Sequence, residues 1–308
     1  MRFYINPHCD FGYGWKKWLR IEPALRRQYG NFEAEKIQSP ENIEAQVQRA
    51  FKEGENFFIA AGGDGTVHLL LNALLNLNSS KQEIILGAVG LGSSNDFHKP
   101  FRPESYIEGI PVRLDRENQI YCDVISVEHR KGKDRLATSY CLVNASLGIT
   151  AEANALYNSR VPTIVRIKRF SHEAAVVASA LMTIFHYKNI PCRLTLDNES
   201  SQKFNLTNLG VFKNPHFAGN LCYDTDVSPD DGNLGVNLCS DMAKLEAVRA
   251  LVRLYKRKFN GYPKTYSWLA KELFFESERP FALEMDGEVI QVSQARFKIL
   301  PKRLRCCR

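Results

Sequence analysis

The chain has 308 residues, 44% hydrophobic and 24% charged, the composition of an ordinary globular protein with about two domains that each bury a core. Its start lacks the apolar stretch of a signal peptide, and the longest apolar segment, Ala174 to Phe185, is too short to span a bilayer and reads as a buried helix. A formal charge of +7 favours an anionic partner, but no nucleic-acid motif or dominant basic tract is present.

In chain order, Phe3 to Ile5 reads as a strand, Gly14 to Tyr29 as a helix, Phe32 to Lys36 as a strand and Pro40 to Lys52 as a helix. Phe57-Phe58-Ile59-Ala60-Ala61 is short, apolar and β-prone, as in a strand buried on both faces of a parallel sheet. Gly62-Gly63-Asp64-Gly65-Thr66 follows, then Val67, Leu70, Leu71, Leu74 and Leu75 at helical spacing, with Thr66 a natural N-cap. Ile84 to Val89 is a further buried strand, ending in Gly90-Leu91-Gly92-Ser93-Ser94-Asn95-Asp96-Phe97. This alternation, to about residue 118, predicts an α/β layer with ligands at the strand C-termini.

From Ile120 onward β-type runs dominate: Tyr121 to His129, Ser139 to Ala145, Cys192 to Asp197, Leu206 to Phe212, Leu234 to Cys239 and Phe281 to Glu284. Two helical insertions are predicted, Ile164 to Lys188 and Met242 to Phe259. In the second, Leu245, Val248, Leu251, Val252, Tyr255 and Phe259 form one apolar stripe. Val127 to Arg135 is charged enough to form a hairpin loop. The eight cysteines have neither CxxC nor paired metal spacing and fit a reducing cytoplasm; Cys306 and Cys307 lack prenylation spacing.

Three glycines at a strand-to-helix turn let backbone N–H groups approach an anion near the positive end of a helix dipole. Asp64 within that loop would repel phosphate unless a divalent cation lies between them, and Mg²⁺ favours carboxylate and phosphate oxygens together. No lysine follows, so the loop is not GxxxxGK[ST]. Ser93, Ser94 and Asn95 add neutral donors for phosphate or ribose oxygens. The plain alternatives are a strand-to-helix connection for the first loop and a polar capping turn for the second.

These motifs together resemble the diacylglycerol-kinase-type lipid kinases, a family that includes bacterial lipid kinases and sphingosine kinases. Asn6-Pro7 with Gly12, Gly14, Lys16 and Trp18 resembles the family's opening turn. Gly62 to Thr66 is identical to its GGDGT loop, and Leu91 to Phe97 is similar to its LGTxNDF segment. Cys122-Asp123-Val124 and Val143 to Gly148 resemble strands of its second domain. Asp230 to Leu234 matches its DDGxL turn, and Asp286-Gly287-Glu288 its DGE. His68-Leu69 stands where the family has Asn-Glu after GGDGT; His68 reads as filling the helix's exposed side.

The resemblance implies a Rossmann-like α/β domain with a parallel sheet over residues 1–118. Residues 119–308 would form a mainly-β sandwich domain for lipid, its final strand a candidate to return to the first domain, with the active site in the interdomain cleft. It implies ATP and Mg²⁺ as cofactors and a lipid hydroxyl as phosphate acceptor. Asn6, Gly62, Gly63, Gly65, Thr66, Ser93, Ser94 and Asn95 would hold the nucleotide, and Asp64 the metal-water shell. Asp231, with carbonyls of Ser228 and Asn233, would form a second magnesium site, and Glu288 would accept the proton. Asp96 and Asp123 would orient substrate or metal, and Lys16 would neutralise phosphate. A lipid kinase would meet an anionic membrane surface, with Arg166-Lys168-Arg169 and Lys256-Arg257-Lys258 as candidate contacts. The rival readings are an NAD kinase, a lipid- or nucleotide-binding relative without turnover and, more distantly, a sugar kinase.

Overall fold

The computed structural model describes residues 1–77, 83–130, 136–197 and 199–308. The chain divides into two compact units, one of Met1–Asp123 with Pro301–Arg308 and the other of Val124–Leu300.

In the first unit β1 (Arg2–Ile5) lies between β2 (Glu33–Lys36) and β3 (Phe57–Gly62), both parallel to it. β4 (Ile85–Gly90) adds in parallel beside β3 along its whole length. The outer edge of β4 is shared. Its start pairs in parallel with Arg305 and Cys306, and its end pairs antiparallel with β6 (Ile110–Arg113), which forms a small hairpin with β5 (Tyr106–Ile107). Helices α1 (Gly14–Tyr29), α2 (Ile43–Lys52) and α3 (Asp64–Leu75) connect the strands. β3 and β4 are buried at every position, as their uninterrupted apolar runs require. One core cluster joins Phe3, Trp18, Ile21, Leu25, Phe57 and Val89 with Cys307 from the end of the chain. Asp123 is buried and accepts a 2.8 Å hydrogen bond from the backbone N–H of Lys302, which fixes the returning segment within this unit.

The second unit is built on antiparallel pairing. The strands are β7 (Gln119–Arg130), which begins in the first unit, β8 (Ala137–Cys141), β9 (Asn144–Gly148), β10 (Ile190–Leu196), β11 (Gln202–Phe212), β12 (His216–Phe217), β13 (Leu221–Cys222), β14 (Leu234–Ser240), β15 (Thr265–Ala270), β16 (Glu272–Met285) and β17 (Glu288–Cys307), which ends in the first unit. β10 sits between the first halves of β11 and β16, and β9 between their second halves. Leu194, Leu209, Val236, Phe275, Phe281 and Phe297 are among the residues of its main core. The helices are α4 (Ile149–Asn158), α5 (Pro162–Lys168), α6 (His172–His186) and α7 (Lys244–Tyr255).

Several expectations change. The expected strand Ser139 to Ala145 is two strands, because Leu142 and Val143 turn to give their N–H groups to Asp286. The insertion Ile164 to Lys188 is two helices, α5 and α6, preceded by α4, which the sequence reading missed. The segment Ala174 to Phe185 buries one face only: Ala175, Ser179, Ala180, Thr183 and Ile184 face inward, while Phe185 is 58% exposed. On α7 the buried residues are Ala247, Ala250 and Leu254; Leu245, Val252 and Tyr255 of the expected stripe are exposed. Val127 to Arg130 belong to β7, and the remainder of the loop expected there lies outside the described residues.

Candidate active site

The strand order β2-β1-β3-β4 reverses direction at β1, so the loops that leave β1 and β3 emerge side by side at the C-terminal edge of the sheet. The candidate nucleotide residues gather there. Asn6, just after β1, gives its Nδ2 hydrogen to Thr66 Oγ1 at 3.1 Å, and its own N–H bonds Ala61 O at 2.9 Å. Thr66 is therefore not the N-cap. The cap is Gly63, which has no side-chain cap, and α3 begins at Asp64 with its first-turn amides at a half-buried glycine loop.

The second glycine segment packs directly on the first. Leu91 N donates to Gly62 O at 2.8 Å, and a Cβ on Gly92 would lie 2.5 Å from Gly63 Cα, so glycine is required where two backbones touch. A Cβ on Gly62 would collide with Thr66. Asn95, at φ 51°, takes Gly92 N–H on Oδ1 at 3.0 Å and donates Nδ2 to Gly90 O and Gly92 O. Its amide braces the loop from within. Asp96 is braced likewise: Ser94 Oγ donates to it at 2.8 Å and Lys99 Nζ at 2.6 Å, in a buried pair. Ser93 alone of this hydroxyl-amide trio is exposed. Asp64 Oδ1 accepts the N–H of Phe97 at 2.9 Å, which holds the carboxylate beside the second loop.

Lys16 does not enter this group. Its Nζ lies 5.5 Å over the Tyr13 ring. Lys17, which the sequence reading passed over, pairs with Asp10 at 2.8 Å and donates to Leu91 O and Gly92 O at 3.1 and 3.3 Å. On a helix one residue is about 100° of rotation, so adjacent lysines serve different faces. His68 is 8% exposed and so belongs to the inward side of α3, not to its exposed side. Behind the loops His98 is buried, and desolvation with the nearby Arg113 charge pushes its pKa down to about 3. Asp123, tied to Lys302, braces the returning segment.

In the second unit the DGE motif is a hairpin turn. Met285 pairs with Glu288 across Asp286 (φ 46°) and Gly287 (φ 99°), the signs that a two-residue primed turn needs. Asp286 is buried and accepts the N–H groups of Leu142, Val143 and Asn144, each at 3.0 Å. Glu284, also buried, accepts Ser146 Oγ at 2.6 Å and Gly287 N–H at 2.7 Å. Glu288 is thus an exposed carboxylate on a firmly held turn.

The DDGxL turn does bring Ser228, Asp231 and Asn233 together, but around an ammonium. Lys213 Nζ lies 2.6 Å from Asp231 Oδ1 and 2.7 Å from Asn233 O, with its side chain 1% exposed. Ser228 N–H and Asn233 N–H fill further carboxylate positions at 2.7 and 2.8 Å. Burial opposes ionisation of Asp231, yet Lys213 and these two amides hold its pKa below the usual carboxylate value. This turn does not fit a divalent cation. The first-unit loops do fit a nucleotide with its own magnesium: a helix start with no side-chain cap, a glycine cradle with no room for side chains and one oriented carboxylate. Among the described residues no group of three metal-ligating side chains exists that would make an all-protein metal cage.

The comparisons with known proteins agree with this architecture. Residues 1–127 match the diacylglycerol kinase catalytic domain, and residues 145–308 match the YegS C-terminal NAD kinase beta sandwich-like domain. The chain belongs to this family of diacylglycerol kinase-like lipid kinases. It is 24% identical over 265 residues to a diacylglycerol kinase of Staphylococcus haemolyticus, covering 85% of this chain and 74% of that protein. It is 23% identical over 275 residues to a "Probable lipid kinase YegS-like" protein of Stenotrophomonas maltophilia, covering 86% and 82%. A solved diacylglycerol kinase structure from Bacillus anthracis superposes with a TM-score of 0.67 at 15% identity, over 99% of this chain and 95% of that one. Another chain from that organism reaches 0.73 at 18% identity, over 99% and 94%. A yeast NADH kinase structure reaches 0.51 at 12% identity, over 100% and 83%. At these identities the solved structures speak for the fold alone.

Proposed function

We propose that this chain is an ATP- and Mg²⁺-dependent lipid kinase that transfers the γ-phosphate to the hydroxyl of a diacylglycerol-like acceptor. The observation that carries the reading is the glycine loop at the start of α3, packed on Gly92 at the point where strand order reverses. In this reading the amides at the start of α3, at Asp64 and Gly65, face the phosphates, with the exposed Ser93 hydroxyl alongside. Thr66, Asn95 and Asp96 keep the two loops in place. Lys17, paired with Asp10, also keeps the second loop in place, and Asp64, oriented by Phe97 N–H, would hold the water shell of the nucleotide's magnesium. That ion would supply charge neutralisation on the β- and γ-phosphates.

Glu288 takes the proton from the acceptor hydroxyl as its oxygen bonds to the γ-phosphorus and the β–γ bridge breaks, leaving ADP and a lipid phosphate. The lipid would be met at an anionic bilayer surface. Of the cluster Arg166-Lys168-Arg169 only the two arginines are exposed, beside Phe170 at 85% exposure, because Lys168 is buried. Among the described residues no helix is long and apolar enough to cross a membrane.

The test is incubation of the full chain with labelled ATP, magnesium and total lipid extract, with a parallel arm supplying NAD. Label should enter a lipid. Asp64→Ala or Glu288→Ala should lower the rate by about 100-fold or more with the fold intact. Full activity in either variant would remove that residue from the mechanism, and label in NADP instead of lipid would replace this reading with the NAD kinase one.

A further inference from the structure

The acidic turn of the second unit has the composition of a cation site, yet its cation is already part of the chain. We propose that the Lys213 ammonium permanently occupies the position at which a divalent ion would bind Asp231 and Asn233, so that this unit folds and functions without a metal. The position is defined by two oxygens, Asp231 Oδ1 at 2.6 Å and Asn233 O at 2.7 Å from Nζ. Magnesium or calcium needs its oxygens at about 2.0–2.6 Å, so an ion using this pair would lie where the ammonium is.

Displacing the lysine is disfavoured from three sides. Its side chain is 1% exposed and so has no alternative path to water. Its backbone is anchored directly after β11, with Lys213 N–H on Val143 O at 2.9 Å. The carboxylate is further engaged by Ser228 N–H and Asn233 N–H, and Asp230 is turned aside to accept Ser228 Oγ at 2.7 Å. Charge gives the same result. One ammonium balances the Asp231 carboxylate, and a divalent ion entering beside it would meet a like charge whose own side chain is 1% exposed. The metal requirement is thereby confined to the magnesium that accompanies nucleotide.

The inference stands apart from the lipid-kinase reading, because its test uses neither nucleotide nor lipid. Thermal unfolding of the full chain is compared in EDTA and in millimolar Mg²⁺ or Ca²⁺, for wild type, Asp231→Asn and Lys213→Met. Wild type should unfold within about 1 °C in all three, and Lys213→Met should lose about 5 °C or more by stranding the carboxylate. A wild-type stabilisation by either ion that Asp231→Asn abolishes would overturn the inference. Should Lys213→Met fail to fold, calorimetric titration of Ca²⁺ into wild type and Asp231→Asn still decides. Equal traces support the internal cation, and a binding heat seen only in wild type refutes it.

Discussion

Lys17 and Lys16 show how finely the candidate site depends on single positions. Lys17 reaches across 74 residues of sequence to the carbonyl of Leu91, whereas its neighbour rests over Tyr13. Lys17→Ala should raise the KM for ATP by about tenfold, because the second loop loses its charge-assisted brace and Asp10 its cation, while Lys16→Ala should leave it within about twofold. Steady-state kinetics on the two variants distinguishes them. His98 supplies a pH dependence. Its folded pKa is pushed down to about 3 from the ordinary value of 6.5. As pH falls below about 6.5 the unfolded chain takes up a proton that the folded one refuses, so stability is full above that value and drains away towards about 3. The slope is at most about 1.4 kcal/mol per pH unit. Urea midpoints measured from pH 7 to 4 should fall more steeply for wild type than for His98→Gln; equal slopes would remove His98 from the acid limb.

At the scale of elements, helix faces were harder to assign from sequence than helix positions. The apolar residues of α7 recur with helical period, which identified the helix, but the face bearing Leu245, Val252 and Tyr255 is exposed. The smaller residues Ala247 and Ala250, with Leu254, pack against Phe212, Tyr223 and Phe259. Close packing of a helix on an aromatic cluster favours small side chains, and a count of large apolar residues overlooks them. Leu254→Ala should cost about 2–5 kcal/mol in chemical denaturation, whereas Leu245→Ala should cost no more than about 0.5 kcal/mol. The glycine loops behave differently. Their geometry follows from local sequence, since a strand ending in Gly62-Gly63 and another ending in Gly90-Leu91-Gly92 can touch backbone to backbone only without side chains.

On the scale of the molecule, the first unit is assembled from both ends of the chain. Arg305 and Cys306 extend its parallel sheet beside β4, Cys307 enters its core and Lys302 ties to Asp123. Deletion of residues 301–308 should therefore abolish cooperative unfolding of that unit, followed by calorimetry; a melting temperature within a few degrees of the intact chain would contradict the assignment. Cys306 and Cys307 are both buried in this unit.

The sequence by itself determined the order of the motifs, the strand-loop-helix setting of Gly62 to Thr66 and the β-rich character of the second half. Each of these is written in short-range periodicity and in residue types that few backbones tolerate. Only the tertiary structure decided that Lys17 and not Lys16 serves the loops, that Asn95 and Asp96 brace them, and that an ammonium sits in the acidic turn. Those outcomes depend on partners far away along the chain, and a local pattern specifies a side chain's chemistry without specifying which distant group it will meet.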